Sequence, residues 1–123
     1  MQTSNPTSTT LSAFLKKINA KRAGYKAQDL KHAIYSPPHF VTAAAVQKLL
    51  EDGGMTCSYC LRPLLADYAA RDPGQWTLDR VDNRLGHNGD NVVLSCLGCN
   101  LQRRSKPHRG FLFTKQLVVV KLD

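Results

Sequence analysis

All four cysteines of the chain fall into two Cys-x-x-Cys pairs, Cys57 with Cys60 and Cys96 with Cys99, and thirty-five residues lie between Cys60 and Cys96. Zinc takes four soft ligands at tetrahedral corners about 2.3 Å from the metal, and a pair at this spacing delivers two thiolates from one tight turn. Four protein thiolates leave no open position for water or substrate, so the zinc expected here is structural. Two other uses of paired cysteines stand beside this one. Disulfides would go with secretion, for which the sequence offers no signal, and a redox centre would need only one pair in a different setting.

Between the pairs lies a concentration of hard oxygen ligands. Asp79 and Asp82 sit at the end of a strand-like run, Asn91 precedes a second one, and Asn100 follows the last cysteine directly. Carboxylate and amide oxygens suit Mg2+ or Mn2+, which also bind phosphate oxygens. His87 adds a nitrogen base on the loop between the two runs.

The elements that would position these residues follow from local pattern. Trp76-Thr77-Leu78-Asp79-Arg80-Val81-Asp82 reads as a strand because aromatic and β-branched residues dominate it, and Val92-Val93-Leu94 as a second. The intervening Asn83 to Asp90, with two glycines and two asparagines, is a loop. Cys96-Leu97-Gly98-Cys99 leads into a short helix, whose first turn should carry Asn100 toward the strand bearing Asp79. Upstream, Val41 to Asp52 reads as a helix that Thr42 or Ser36 could cap and that Gly53-Gly54 ends. Leu11, Phe14, Leu15 and Ile18 have the spacing of a short amphipathic helix with Thr10 or Ser12 near its N-cap, and Leu117-Val118-Val119-Val120 reads as a short strand. Trp76, Phe111 and Phe113 read as core residues more readily than as stacking platforms.

At 123 residues the chain is the size of one domain. We divide it into a flexible N-terminus (1–10), a basic helical region (11–52), a zinc-stapled core (53–110) and a C-terminal strand packed on that core (111–123). Hydrophobic residues make up 42% and the mean hydropathy is −0.32, the profile of a globular protein, and no apolar run approaches the ~20 residues that cross a bilayer. A membrane partner is therefore not expected. Lys and Arg outnumber Asp and Glu 17 to 9, for a net charge of +8, which makes a polyanionic partner plausible. The excess concentrates in two zones: Lys16, Lys17, Lys21 and Arg22 before the first acid, and Arg84 with Arg103, Arg104, Lys106 and Arg109 later. The first 28 residues, Ser/Thr-rich and acid-free, also have the composition of an organellar transit peptide, so import is an alternative to a basic helix retained on the mature protein. Otherwise an intracellular setting, cytoplasmic or nucleoid-associated, is expected.

The stretch from Cys57 to Arg103 resembles the HNH, or ββα-metal, endonuclease superfamily, in the branch with Cys-x-x-Cys on either side of the active-site hairpin. The resemblance rests on Leu78-Asp79-Arg80-Val81-Asp82-Asn83, Gly86-His87, Asp90-Asn91-Val92-Val93-Leu94 and Cys96-Leu97-Gly98-Cys99-Asn100 with Arg103. It implies an α+β fold with a treble-clef-like ββα-metal core, preceded by N-terminal helices. It implies Asp79 and Asn100 as ligands of a catalytic Mg2+ or Mn2+, and Asn91 as the residue that holds the loop through backbone hydrogen bonds. The chain departs from the family where a His general base normally follows the first Asp, because Arg80 stands there and a guanidinium does not accept a proton. Arg80 could instead stabilise phosphate charge in the transition state. His87 is the first candidate base and Asp82 the second; the structural alternatives are a solvated loop histidine and a carboxylate that fixes the turn at Asn83.

The expected activity is hydrolysis of DNA phosphodiester bonds, with the basic residues of both zones neutralising phosphates without reading bases. Branched or nicked DNA and a homodimer suit the resemblance, as does a phage, viral or mobile-element source. The alternative is a non-catalytic, zinc-stabilised module that binds DNA or RNA, in which Asp79, Asp82 and Asn100 only tie the hairpin to the helix.

Overall fold

The computed structural model describes residues 6–122, and the side-chain surroundings of 12–117. It is an α+β fold of four helices and one two-stranded antiparallel sheet. Helix α1 runs from Pro6 to Lys31. Proline at the first helical position loses no hydrogen bond, because that N–H has no intrahelical partner anyway. The helix therefore starts earlier than the capping signals suggest. Thr10 and Ser12 lie inside it, and only residues 1–5 of the expected flexible head fall outside the described residues. At 1.5 Å per residue, 26 residues span about 39 Å, long enough to cross the whole hairpin. Phe14, Ile18, Tyr25 and Asp29 recur three or four residues apart, or at multiples of that, and make its inward face. Ala33 at φ 59 turns the chain, and Pro37-Pro38 forbids continuation.

Helix α2, Ala43–Asp52, is capped by Thr42, whose hydroxyl accepts from Ala45 N at 3.0 Å, and it buries Val46 and Leu50. Gly53 N donates to Leu49 O, and Gly54 at φ 61 takes the left-handed conformation that turns the chain toward the first cysteine pair. Strands β1, Trp76–Arg80, and β2, Val92–Cys96, pair in the register Trp76↔Cys96 to Arg80↔Val92. Helix α3, Leu97–Arg103, follows at once, with Cys96 itself as N-cap.

The C-terminal segment overturns the strand expectation: His108–Leu122 is helix α4. The valine run favours a strand only where a neighbouring edge can pair with it, and β-propensity is mostly a matter of such context. Here Phe111 is buried against the Tyr59 ring at 4.9 Å, and Gln116 Nε2 donates to Tyr59 O at 2.8 Å, contacts one and a half turns apart on a helix. Tertiary packing on the cysteine turn thus decides the segment.

The core gathers Ile18, Val41, Val46, Leu50, Tyr59, Leu64, Trp76, Leu78, Leu94 and Phe111 around the sheet. Trp76 and Phe111 belong to it, whereas Phe113 is 65% exposed. Among the described residues no helix is long and apolar enough to cross a membrane.

Candidate metal centre and cleft

The two cysteine turns are built alike. In the first, Leu61 N returns to Cys57 O, and Tyr59 N points at Cys57 Sγ from 3.4 Å. In the second, Cys99 N points at Cys96 Sγ from 3.4 Å. The four sulfur atoms lie within 4.8 Å of one another, and Cys60 and Cys96 are 3.9 Å apart. Corners of a zinc tetrahedron with 2.3 Å bonds are about 3.8 Å apart, so the cluster fits a closed four-thiolate site such as structural zinc. All four are free cysteines rather than disulfides. Their electrostatics carry the same message. Cys57 is pushed down to about 4, first by a hydrogen bond with Cys96 and then by backbone amides. Cys99 is pushed up to about 12, first by burial, and Cys96 is raised by its hydrogen bond with Cys57 and by burial. Four adjacent sulfurs cannot all ionise by themselves; a bound dication removes that conflict and deprotonates them together.

A cleft of about 980 Å3 opens on the other side of the hairpin. Thr77 to Arg80 of β1 form its floor, α1 and the turn after it contribute Lys21, Tyr25 and His32 to one wall, and α3 with the turn after it contributes Asn100, Leu101 and Arg104 to the other. Asp79 and Asn100 both line it, and each is locked by one side of its head group. Asp79 Oδ2 accepts from Tyr59 Oη at 2.5 Å and from Arg103 Nη1 at 2.9 Å. Asn100 Nδ2 donates to Leu78 O at 3.3 Å and Thr77 Oγ1 at 3.2 Å. Among the described residues, one oxygen on each, Oδ1 of Asp79 and Oδ1 of Asn100, accepts no hydrogen bond. Among the described residues no cluster of three or more His, Cys, Asp or Glu exists besides the thiols.

Asn91 staples the loop: its Oδ1 accepts from Asp82 N at 2.9 Å, and its Nδ2 donates to Asp82 O at 3.0 Å and Gly86 O at 2.9 Å. Asp82 fixes the turn after β1. It accepts from Arg84 N at 2.9 Å and pairs with the Arg84 guanidinium at 3.0 Å, bonds that hold its carboxyl down to about 2. A carboxylate held that low is a poor proton acceptor. Arg80 donates to the carbonyls of Asn83 and Leu85 at the cleft edge.

His87 is not the solvated loop residue that its sequence setting allows. It is 4% exposed, stacked on Tyr25 at 4.3 Å, and its Nδ1 lies 2.8 Å from Asp29 Oδ1. Burial lowers its pKa below the ordinary value, outweighing the Asp29 carboxylate that raises it.

The basic residues divide. Arg103, read as a phosphate contact from sequence, is buried: besides Asp79 it donates from Nε to Lys106 O at 2.8 Å, from Nη2 to Val81 O at 3.0 Å, and to Arg80 O. Arg22 Nε donates to Val41 O, Lys17 pairs with Asp67, and Arg84 with Asp82. Lys21, its ammonium 2.7 Å from Gln75 Oε1 and over the Trp76 ring, is half-buried and lowered to about 8 by burial and by Lys17. Lys16, Arg104, Lys106 and Arg109 stay exposed.

Sequence reasoning missed Asp29, Tyr25, Tyr59 and His108. Tyr59 had a signal, since it lies within the first Cys-x-x-Cys turn and cannot avoid the site. His108 Nδ1 meets its hydroxyl at 2.9 Å. Asp29, 58 residues from His87, had none. Compared with family models, curated proteins and solved structures, the chain matches none.

Proposed function

We propose that this chain is a metal-dependent endonuclease that hydrolyses DNA phosphodiester bonds on an HNH-like, treble-clef ββα-metal core stapled by zinc. The observation that supports this reading is that Asp79 and Asn100 line one cleft with basic residues on both walls, each with one side-chain oxygen that accepts no hydrogen bond among the described residues. A bound Mg2+ or Mn2+ would supply Lewis-acid polarisation of the phosphate and charge neutralisation at the departing oxygen.

The protein's own part is positional and electrostatic. Tyr59 and Arg103 hold Asp79 in one orientation, and the Leu78 carbonyl holds the Asn100 amide by its nitrogen. Arg80 and Arg104 place fixed positive charge at the cleft edge, where a phosphate diester gains negative charge during reaction. The exposed Lys16, Lys106 and Arg109 add salt-sensitive affinity for the DNA backbone.

A second reading, a zinc-stabilised module that binds DNA or RNA without cutting, is favoured by the Asp79 to Arg103 ion pair, which by itself could serve only to tie hairpin to helix. Supercoiled-plasmid cleavage in Mg2+ or Mn2+ separates the two. Asn100→Ala and Asp79→Asn, both checked for zinc content and folding, should cut at least ~100-fold more slowly than wild type. Undiminished cutting by both variants removes the site assignment; retained DNA binding with no cutting by wild type in either metal establishes the second reading.

A further inference from the structure

The chain lacks a histidine after Asp79, yet it contains a buried carboxylate–imidazole pair that bridges the N-terminal helix and the hairpin loop. Asp29 of α1 accepts from the backbone N–H of His87 through Oδ2 at 2.7 Å and faces His87 Nδ1 through Oδ1 at 2.8 Å. The approach is close enough that a Cβ on Gly86 would lie 2.6 Å from Asp29 Oδ2, so glycine is needed there. A carboxylate has no hydrogen to give, so the proton between the two sits on His87 Nδ1. In the neutral ring the lone pair is then on Nε2, which has no hydrogen-bond partner among the described residues, and His87 lines the same cleft as Asp79 and Asn100. Tyr25, one helical turn before Asp29, stacks on the ring at an interplanar angle of 16° and accepts from Leu78 N through its hydroxyl. Helix α1 thus fixes the ring's tilt, its tautomer and the backbone beside Asp79 together.

We propose that His87 is the proton acceptor of the hydrolysis and that Asp29, contributed by the N-terminal helix, is its positioning residue. The inference rests on the nuclease reading above. Nε2 takes a proton from water as the water oxygen forms its bond to phosphorus. The bond from phosphorus to the 3′ oxygen breaks, and that oxygen leaves as a hydroxyl after taking a proton from solvent. The imidazolium returns its proton to solvent, so each turnover consumes one water and yields a 5′-phosphate and a 3′-hydroxyl. Arg80 has no part in proton transfer, and the helix that sequence reasoning treats as a basic arm becomes part of the catalytic apparatus.

Asp29→Asn tests this directly, because asparagine keeps the shape and can still accept the His87 N–H while turning its NH2 group toward Nδ1. That reverses the tautomer and moves the proton to Nε2. With zinc content and melting temperature as controls, plasmid cleavage under saturating DNA should fall by at least ~10-fold in Asp29→Asn and ~100-fold in His87→Gln, with KM little changed. Nitrogen-15 NMR of the imidazole should show wild-type His87 protonated at Nδ1 and the Asp29→Asn variant at Nε2, a readout that a purely structural tie would not move. If wild type cuts and Asn100→Ala does not, while His87→Gln cuts at the wild-type rate, the dyad is overturned and the nuclease reading stands. A wild-type ring protonated at Nε2 overturns the dyad whatever the variants do, including variants that fail to fold. No cutting by wild type in either metal overturns both.

Discussion

Arg103→Ala distinguishes a buried strut from a surface phosphate contact, and its consequences can be worked from the contacts. The side chain is 1% exposed and holds Asp79 together with the carbonyls of Arg80, Val81 and Lys106. Removing one partner of a buried ion pair costs about 3–5 kcal/mol, because the other charge is left in a poor solvent. Each abandoned carbonyl adds up to ~1.5–3 kcal/mol where water cannot replace the guanidinium. These contributions overlap, since Asp79 keeps the Tyr59 hydroxyl and water can enter the space vacated. A loss of at least ~4 kcal/mol remains, a large share of the 5–15 kcal/mol typical of a domain. For a chain of this size that lowers the melting temperature by roughly 15 °C. Arg103→Lys, which keeps the charge but not the fork, should lose about half as much. Urea unfolding of the zinc-loaded protein, followed by circular dichroism, measures the loss, and DNA anisotropy across a salt series measures any missing phosphate contact. A variant that melts within about 2 °C of wild type while its log–log salt slope drops by about one would refute the strut and restore Arg103 to the surface.

Two further outcomes follow from the same geometry. Elemental analysis should find one zinc per chain, and Cys96→Ser should lose the metal and the cooperative melt together, because binding and folding are coupled in such sites; an unchanged melting curve would contradict this. Lys21 falls from 10.5 to about 8 on folding, so the folded state releases its proton first, and stability should climb as pH rises from about 8 toward 10.5. Lys21→Met should flatten that part of the stability profile, and an identical slope in the variant would show that another group causes it.

Local chemistry was legible from the sequence; distant partnerships were not. The cysteine cluster follows from spacing alone, because two tight turns can bring four sulfurs together whatever surrounds them. Helix α2 announced itself through Thr42 and the glycine pair, and the two strands through their composition. Asn91 could be read as the loop staple because its partners, Asp82 and Gly86, lie within nine residues. Arg103 was misread because an arginine in a basic segment looks the same whether it faces solvent or fills a slot lined with carbonyls. The valine run of α4 was misread because what decides it is the surface offered by Tyr59, some fifty residues earlier. Asp29 sits in a segment whose surplus of lysines hid the one carboxylate that turns inward.

The phenol of Tyr59 ties the cysteine cluster to the carboxylate of β1. Because it lies between Cys57 and Cys60 and its hydroxyl donates to Asp79, the strand carboxylate takes part of its orientation from the first cysteine turn. In the proposed nuclease, maturation would then have an order, with the soft metal loaded first. On that reading, a cell short of zinc would accumulate a chain with Asp79 poorly oriented, however abundant magnesium is.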